Sequence, residues 1–180
     1  MISAVVSAVG LVIAAVSATI ALIEVRQNHQ WSRRKASEET LSKLVIGDFP
    51  DTLERLILEF GWDPVNSSIN YDDVAKKLNE QQKLLLDLLL RRLLRILEAL
   101  CIHIKHGILD EDICYDYLAS MLTNLYLRCG HFIENERFAR KDQRVFENFS
   151  KYAHDWDRRN SQVKGTYARL TSIPPKRGFP

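Results

Sequence analysis

The sequence is poor in cysteine and in the residues that interrupt helices. It contains five prolines, seven glycines and three cysteines among 180 residues. With so few turn formers and no segment of clean apolar–polar alternation, the chain lacks the pattern of a β-sandwich or barrel. An odd number of cysteines in apolar helical sequence likewise argues against a disulfide framework. We expect Cys101, Cys114 and Cys129 to be buried reduced thiols, which suits a reducing compartment.

Motifs that carry chemistry are also missing. The sequence has no phosphate-binding loop, dinucleotide glycine motif, nucleophile elbow, HExxH or CxxC. His103 and His106 are three residues apart and, with Cys101 or His131, offer a loose set of metal ligands. A closed metal site needs three or four ligands, so a packed or surface histidine pair is the expectation. The sequence therefore predicts no enzyme, no cofactor and no metal site.

Net charge is small, and its distribution is more informative than its total. The formal charge of +2 and the lack of an interleaved aromatic platform give no support for nucleic-acid binding. Basic residues instead cluster at Arg26, Arg33, Arg34 and Lys35, and again near the C-terminus. Each basic residue close to an anionic leaflet contributes about 1 kcal/mol. The first cluster is thus a candidate membrane-facing or partner surface, and a solvated basic surface is the alternative.

Charge is absent altogether from residues 2–23, and Glu24 and Arg26 follow at once. About 20 apolar residues span a bilayer as a helix. The Ile, Val and Leu side chains of this segment favour insertion by roughly 3 to 7 kcal/mol. A cleaved signal peptide is the main rival, but no basic residue precedes the segment and its apolar run is longer than usual. The sequence therefore predicts a transmembrane helix at residues 1–23.

Two further expectations concern this predicted span. Basic residues follow it and none precedes it, so the positive-inside rule puts the N-terminus outside and the body in the cytoplasm of a bacterial inner membrane, with a single pass. Small residues repeat along it at heptad spacing: Ser3, Ser7, Gly10, Ala14, Ser17 and Ala21. Small residues let helices approach closely in lipid. The spacing indicates a seam for a second copy or another membrane protein, unless the register is chance.

The rest of the chain has helical periodicity and forms one domain in this interpretation. A juxtamembrane helix is expected at 24–46, a helical bundle at 47–160 and a basic, proline-containing tail at 161–180. Asn79 and Gln82 have the spacing of a capping box at the start of a leucine-rich central helix. Gly107 and Asp110 are expected to end that helix and begin the next, which runs to about Arg128. A last helix is predicted at about 135–159. The fold class is therefore all-α.

Glu98 stands out because it lies in the leucine-rich helix, where unpaired carboxylates are rare. Arg91, Arg95 and a basic residue from another helix are the candidate partners, and Arg95, three residues earlier, is the nearest by helical spacing. A buried ion pair between Glu98 and Arg95 is the structural expectation. The alternative is a ligand or partner site lined by Glu98, Arg91, Arg92 and Arg95.

Several of these segments together resemble a known family. The N-terminal span, EVRQNHQ at 24–30 and RRKA at 33–36 resemble the domain of unknown function 4760 family of bacterial membrane proteins. LEAL at 97–100 and HGILDED at 106–112 are similar to its central signature. The resemblance covers about residues 1–160 and implies a membrane-anchored helical domain without an assigned activity. It implies no catalytic residues.

The function expected from these features is a membrane-anchored interaction or regulatory module that associates through its span and its body. An alternative is an oligomeric membrane effector in stress or phage defence that perturbs the inner membrane. Against this alternative, the span has no charge or polar pore-lining face. The predicted partners are the lipid bilayer and either a second copy or another membrane protein.

Overall fold

Helices account for the regular structure of the part of the chain that is described. The computed structural model describes the backbone of residues 2–171 and the side chains of residues 17–44 and 47–162. Within these limits it contains no strand, and the helices are α1 (Ile2–Ile46), α2 (Asp48–Phe60), α3 (Tyr71–Ala75), α4 (Glu80–Lys105), α5 (Glu111–Arg140) and α6 (Glu147–Thr171). The expected all-α bundle is confirmed.

The predicted membrane span falls mainly outside the described side chains. Among the residues that the structure describes, no helix is both long enough and apolar enough to cross a membrane. The side chains of residues 1–16 are not among them. The span at residues 1–23 therefore stays a prediction.

Helix α1 has an exposed part and a docked part. Every side chain from Ser17 to Ser32 is exposed, and Trp31 keeps 65% of its surface. Further along the helix, Ser37 and Leu41 are buried against the body. Among the side chains of α1 that the structure describes, those of the C-terminal part belong to the bundle.

A short hydrogen-bonded joint fixes the docked part of α1 to the start of α5. The Ser37 hydroxyl donates to the Arg33 carbonyl at 2.8 Å and accepts the backbone N–H of Asp110 at 2.7 Å. The Arg33 guanidinium donates to the Leu109 carbonyl at 3.0 Å. Asp110 in turn caps α5, because its carboxylate accepts the N–H groups of Asp112 and Ile113. One buried serine therefore links two helices that are distant in sequence.

Helix α4 provides the largest share of the core, as its leucines predict. Its buried side chains are Leu86, Leu89, Leu90, Leu93, Leu94, Leu97, Leu100, Cys101 and Ile104. The capping box between Asn79 and Gln82 is confirmed, with both reciprocal hydrogen bonds present. The helix ends before Gly107, whose φ of 68° is readily adopted only by glycine.

Helices α5 and α6 differ from the prediction. A break was expected between Arg128 and residue 135, but α5 continues to Arg140. Its buried stripe runs on through Cys129, Phe132 and Ile133, so packing favours an unbroken helix there. The chain turns instead where Lys141 and Phe146 adopt positive φ angles of 53° and 55°.

The end of the last helix is also later than expected. Helix α6 extends to Thr171 instead of stopping at residue 159. The sequence has no proline between this helix's start and Pro174, so no proline ends it earlier.

Candidate functional site

Four arginines line an open groove on the outer face of α4. The groove has a volume of about 670 Å³ and is bordered by Arg91, Arg92, Arg95 and Arg140. Its other lining residues are Asp48, Leu88, Ile96 and Ala99. Arg91, Arg92 and Arg95 come from α4, Arg140 ends α5, and Asp48 begins α2. We call this surface the arginine groove.

Glu136 holds two of these arginines in place. Its carboxylate accepts hydrogen bonds from Nε and Nη2 of Arg91 at 2.9 and 2.8 Å, and from Nη2 of Arg140 at 2.9 Å. Glu136 is buried, with only 7% of its surface exposed. The hydrogen bonds from Arg91 lower the pKa of Glu136 below its usual 4.5, outweighing the opposite effect of burial. The two guanidiniums are therefore fixed by a buried, ionised partner.

The other two arginines are freer. Arg92 contacts Asp48 at 2.9 Å, but both side chains are more than half exposed, so the pair contributes little stability. Arg95 is exposed and makes no hydrogen bond or ion pair within the described part of the chain. The groove thus presents one unpaired guanidinium beside one that is weakly paired.

The groove continues along α4 toward α1. A second cavity of about 340 Å³ shares Asp48, Ile96 and Ala99 with the first and reaches His103 and Lys43. From Leu88 to His103 the helix advances about 22 Å at 1.5 Å per residue. The two cavities together make an elongated trough and not a closed pocket.

Glu98 has partners other than the one that the sequence predicted. Its carboxylate accepts hydrogen bonds from the backbone N–H of Asn148 at 3.2 Å, from Asn148 Nδ2 at 2.7 Å and from the N–H of Phe149 at 2.7 Å. No ion pair joins Glu98 to Arg95 among the described residues. The expected pair is corrected: the first turn of α6 has free N–H donors, and they satisfy the carboxylate.

The basic cluster after the predicted span is divided by the fold. Arg26 and Arg34 are exposed, with Arg34 3.9 Å from Asp110, and Lys35 lies over the Trp31 ring at 5.4 Å. Arg33 instead turns inward to the Leu109 carbonyl. Three of the four predicted residues remain accessible, while Arg33 is part of the joint between α1 and α5.

The predicted seam of small residues is only partly described. Ser17 and Ala21 are exposed on α1. The side chains of Ser3, Ser7, Gly10 and Ala14 lie outside the described residues.

The described residues give little sign of covalent chemistry. They contain no group of three or more His, Cys, Asp or Glu side chains placed to hold a metal ion. All three cysteines are buried and unpaired, as expected, and burial raises the pKa of each thiol. Protonated, buried thiols are poor nucleophiles.

A further cavity, of about 390 Å³, lies between α3, α4 and α5. Its lining mixes both signs of charge, with Lys76, Lys83, Asp72 and Asp87 around Tyr71. The Tyr71 hydroxyl donates to Asp87 at 2.6 Å, and burial raises the pKa of Tyr71. The two carboxylates are paired within the fold, Asp87 with the Tyr71 hydroxyl and Asp72 with the His131 ring.

Sequence reasoning identified Arg91, Arg92 and Arg95 as an alternative partner site, but it missed Glu136 and Arg140. The four-residue spacing of Glu136 and Arg140 is typical of an ion pair on a helix. That spacing could not show that Glu136 also meets Arg91, which lies 45 residues before it in the chain.

The fold and this surface define a class: an all-helical bundle domain with a long N-terminal helix and a basic external groove. The chain belongs to the family described as domain of unknown function (DUF4760), which it matches over residues 11–156. This confirms the family that the sequence motifs indicated, while the membrane description stays a prediction. No curated protein and no solved structure matches the chain.

Proposed function

We propose that the protein is a membrane-anchored interaction module, held by the N-terminal part of α1 and presenting the helical body to partners in the cytoplasm. The observation that carries this proposal is the exposure of apolar side chains on α1. Ile20, Leu22, Ile23 and Val25 keep between 49% and 65% of their surface. Ile20, Leu22 and Ile23 lie at the end of the uncharged segment that begins at Ile2, and Val25 follows just after Glu24. Exposed apolar surface of this kind needs a partner, and lipid is the one that matches an uncharged segment of this length.

The chain after the exposed segment supports the same proposal. Arg26, Arg34 and Lys35 are exposed close to the proposed membrane boundary, where basic residues favour the cytoplasmic side. The joint at Ser37 then fixes α1 to the bundle. An anchor that is attached to a helical body through such a joint fits a scaffold that presents the body to partners.

Carbonate extraction of membranes from cells that express the full chain tests the anchor. The wild-type chain should remain in the membrane pellet. Val12→Arg combined with Ile13→Arg should release it, because each arginine near a span's centre costs about 2.5 to 3.5 kcal/mol. The matched control, Asn28→Arg with Gln30→Arg, adds the same charge beyond the span and should stay bound. Wild-type chain in the soluble fraction, or equal retention of both variants, would refute the anchor.

Association through the seam is a separate part of the proposal. Gly10→Leu adds bulk on the seam and should lower the mass of the detergent-solubilised assembly. Val12→Leu adds bulk off the seam and should leave it unchanged. Equal masses for wild type and Gly10→Leu would show that the seam is not an interface. Collapse of the membrane potential on expression would favour the defence effector instead.

A further inference from the structure

We propose that the arginine groove is a docking site for an acidic amphipathic helix of a partner protein. This inference rests on the proposed function as an interaction module and identifies the surface and the chemistry of the partner. Three properties of the groove support it: its shape, its mixed apolar and basic lining, and the state of its arginines.

The shape fits a helix better than a small ligand. The trough is open and follows α4 for about 22 Å, the length of about 15 helical residues. A small anion is bound by donors that converge on one point. Here Arg91 and Arg140 already converge on Glu136, so no such point is left for a free phosphate. A planar bilayer surface would contact projecting side chains before it reached a concave trough.

The lining has the two components that an amphipathic helix requires. Leu88, Ile96 and Ala99 give the trough an apolar floor, and Leu88 keeps 58% of its surface exposed. Helix-in-groove complexes place apolar residues, three or four positions apart, on such a floor. The arginines lie beside it, where the acidic residues of the partner would fall.

Charge complementarity indicates the sign of the partner's net charge. The two cavities are lined by four arginines and Lys43, and the acidic residue in their lining is Asp48. Counting Glu136 beneath Arg91 and Glu39, which pairs with Lys43 at 2.8 Å, five cationic side chains face three carboxylates. The surplus is positive, so an acidic partner is attracted and a basic one is excluded.

The four arginines differ in how firmly each is already paired within the fold. Arg91 and Arg140 are held by Glu136, so ordering them on binding costs little entropy. Arg95 has no partner in the described part of the chain, and the exposed pair between Arg92 and Asp48 is readily exchanged. Because Glu136 already pairs with Arg91 and Arg140, Arg92 and Arg95 have the charge that is most available to a partner, and their loss should weaken docking most.

Selection from a peptide library on the full chain, kept in detergent micelles, tests the proposal. The library holds peptides of about 16 residues with leucine fixed at helical spacing and the other positions varied. Selected peptides should be enriched in Asp and Glu. Their dissociation constant, measured by fluorescence anisotropy, should rise about tenfold or more in Arg95→Glu and in Arg92→Ala with Arg95→Ala. Lys151→Glu, which reverses an exposed charge on α6 outside the groove, is the matched control and should leave binding unchanged.

Three outcomes would overturn the inference. They are selection without acidic enrichment, selected peptides whose binding survives Arg95→Glu, and peptides that fail to bind while vesicles of phosphatidylglycerol bind in an Arg95-dependent manner. The last would assign the groove to a lipid surface. Circular dichroism of each variant checks that the fold is retained. Because the selection is done in micelles, its result does not depend on whether α1 spans a bilayer. The docking proposal and the membrane-anchor proposal are therefore tested separately.

Discussion

Replacing Glu98 with alanine should destabilise the fold by about 1 to 3 kcal/mol, since the first turn of α6 loses its acceptor. Loss of a side-chain cap costs roughly 0.5 to 2 kcal/mol. Loss of a negative charge at a helix N-terminus adds about 0.3 to 1 kcal/mol. Glu98 fills both roles, because its carboxylate accepts from the backbone N–H groups of Asn148 and Phe149. Glu98→Gln retains an acceptor and should lose mainly the charge contribution.

The assay is urea unfolding of the full chain in detergent micelles, followed by far-ultraviolet circular dichroism. Urea unfolding gives the loss in free energy directly. In a parallel thermal melt the melting temperature should fall by about 2 to 4 °C for each kcal/mol lost. Glu147→Ala is the matched control, because it removes an exposed carboxylate from the same helix end without removing a hydrogen bond. It should cost no more than about 0.3 to 1 kcal/mol.

Arg95→Ala distinguishes the cap from the ion pair that the sequence predicted. Arg95 is exposed and contacts no carboxylate in the described residues, so its loss should change stability by less than about 0.5 kcal/mol. If Arg95→Ala instead cost as much as Glu98→Ala, and the double variant cost no more than either, the two residues would be coupled and the capping argument refuted.

Three other predictions concern buried polar groups. Glu136→Gln should cost about 3 kcal/mol or more at neutral pH, as breaking a buried ion pair does. Because the pKa of Glu136 is lowered below 4.5, the stability that its charge contributes is complete above pH 4.5 and is lost as pH falls through the folded-state pKa. The free energy of unfolding of the variant should therefore depend less on acid pH than that of the wild type, and equal acid sensitivity would contradict this. Ser37→Ala should cost about 1 to 2 kcal/mol, because the partly buried Asp110 N–H loses its acceptor. Hydrogen exchange at that amide should accelerate, and unchanged exchange would exclude the joint. Burial raises the pKa of Cys114 to about 11 and of Cys129 to about 12, so neither thiol should react with Ellman's reagent at pH 8 until urea unfolds the chain, and prompt labelling of the native protein would disprove their burial.

The sequence predicted well those features that depend on neighbours within a few residues. The capping box at Asn79 and Gln82, the glycine at the end of α4 and the cap at Asp110 all involve groups one helical turn apart. Such contacts follow from spacing alone, and the structure confirms them.

Features that depend on distant residues could not be predicted in this way. Glu98 meets residues 50 and 51 positions later, and Glu136 meets Arg91 45 positions earlier. Spacing pointed to Arg95 for Glu98 because it is close on the same helix, but a neighbouring helix offered unsatisfied backbone donors. The arginine groove depends in the same way on the ends of α2 and α5 meeting α4, which periodicity does not determine.

The continuity of α1 has a geometric consequence. Between Gly10 and Gly47 the sequence contains no glycine or proline, so the helix has no built-in hinge between its exposed and docked parts. Each residue of an α-helix turns the chain by about 100°. Inserting or deleting a single residue between Ser17 and Arg33 would therefore rotate the bundle by more than a quarter turn about the helix axis. The number of residues in that stretch sets the azimuth at which the groove faces its surroundings.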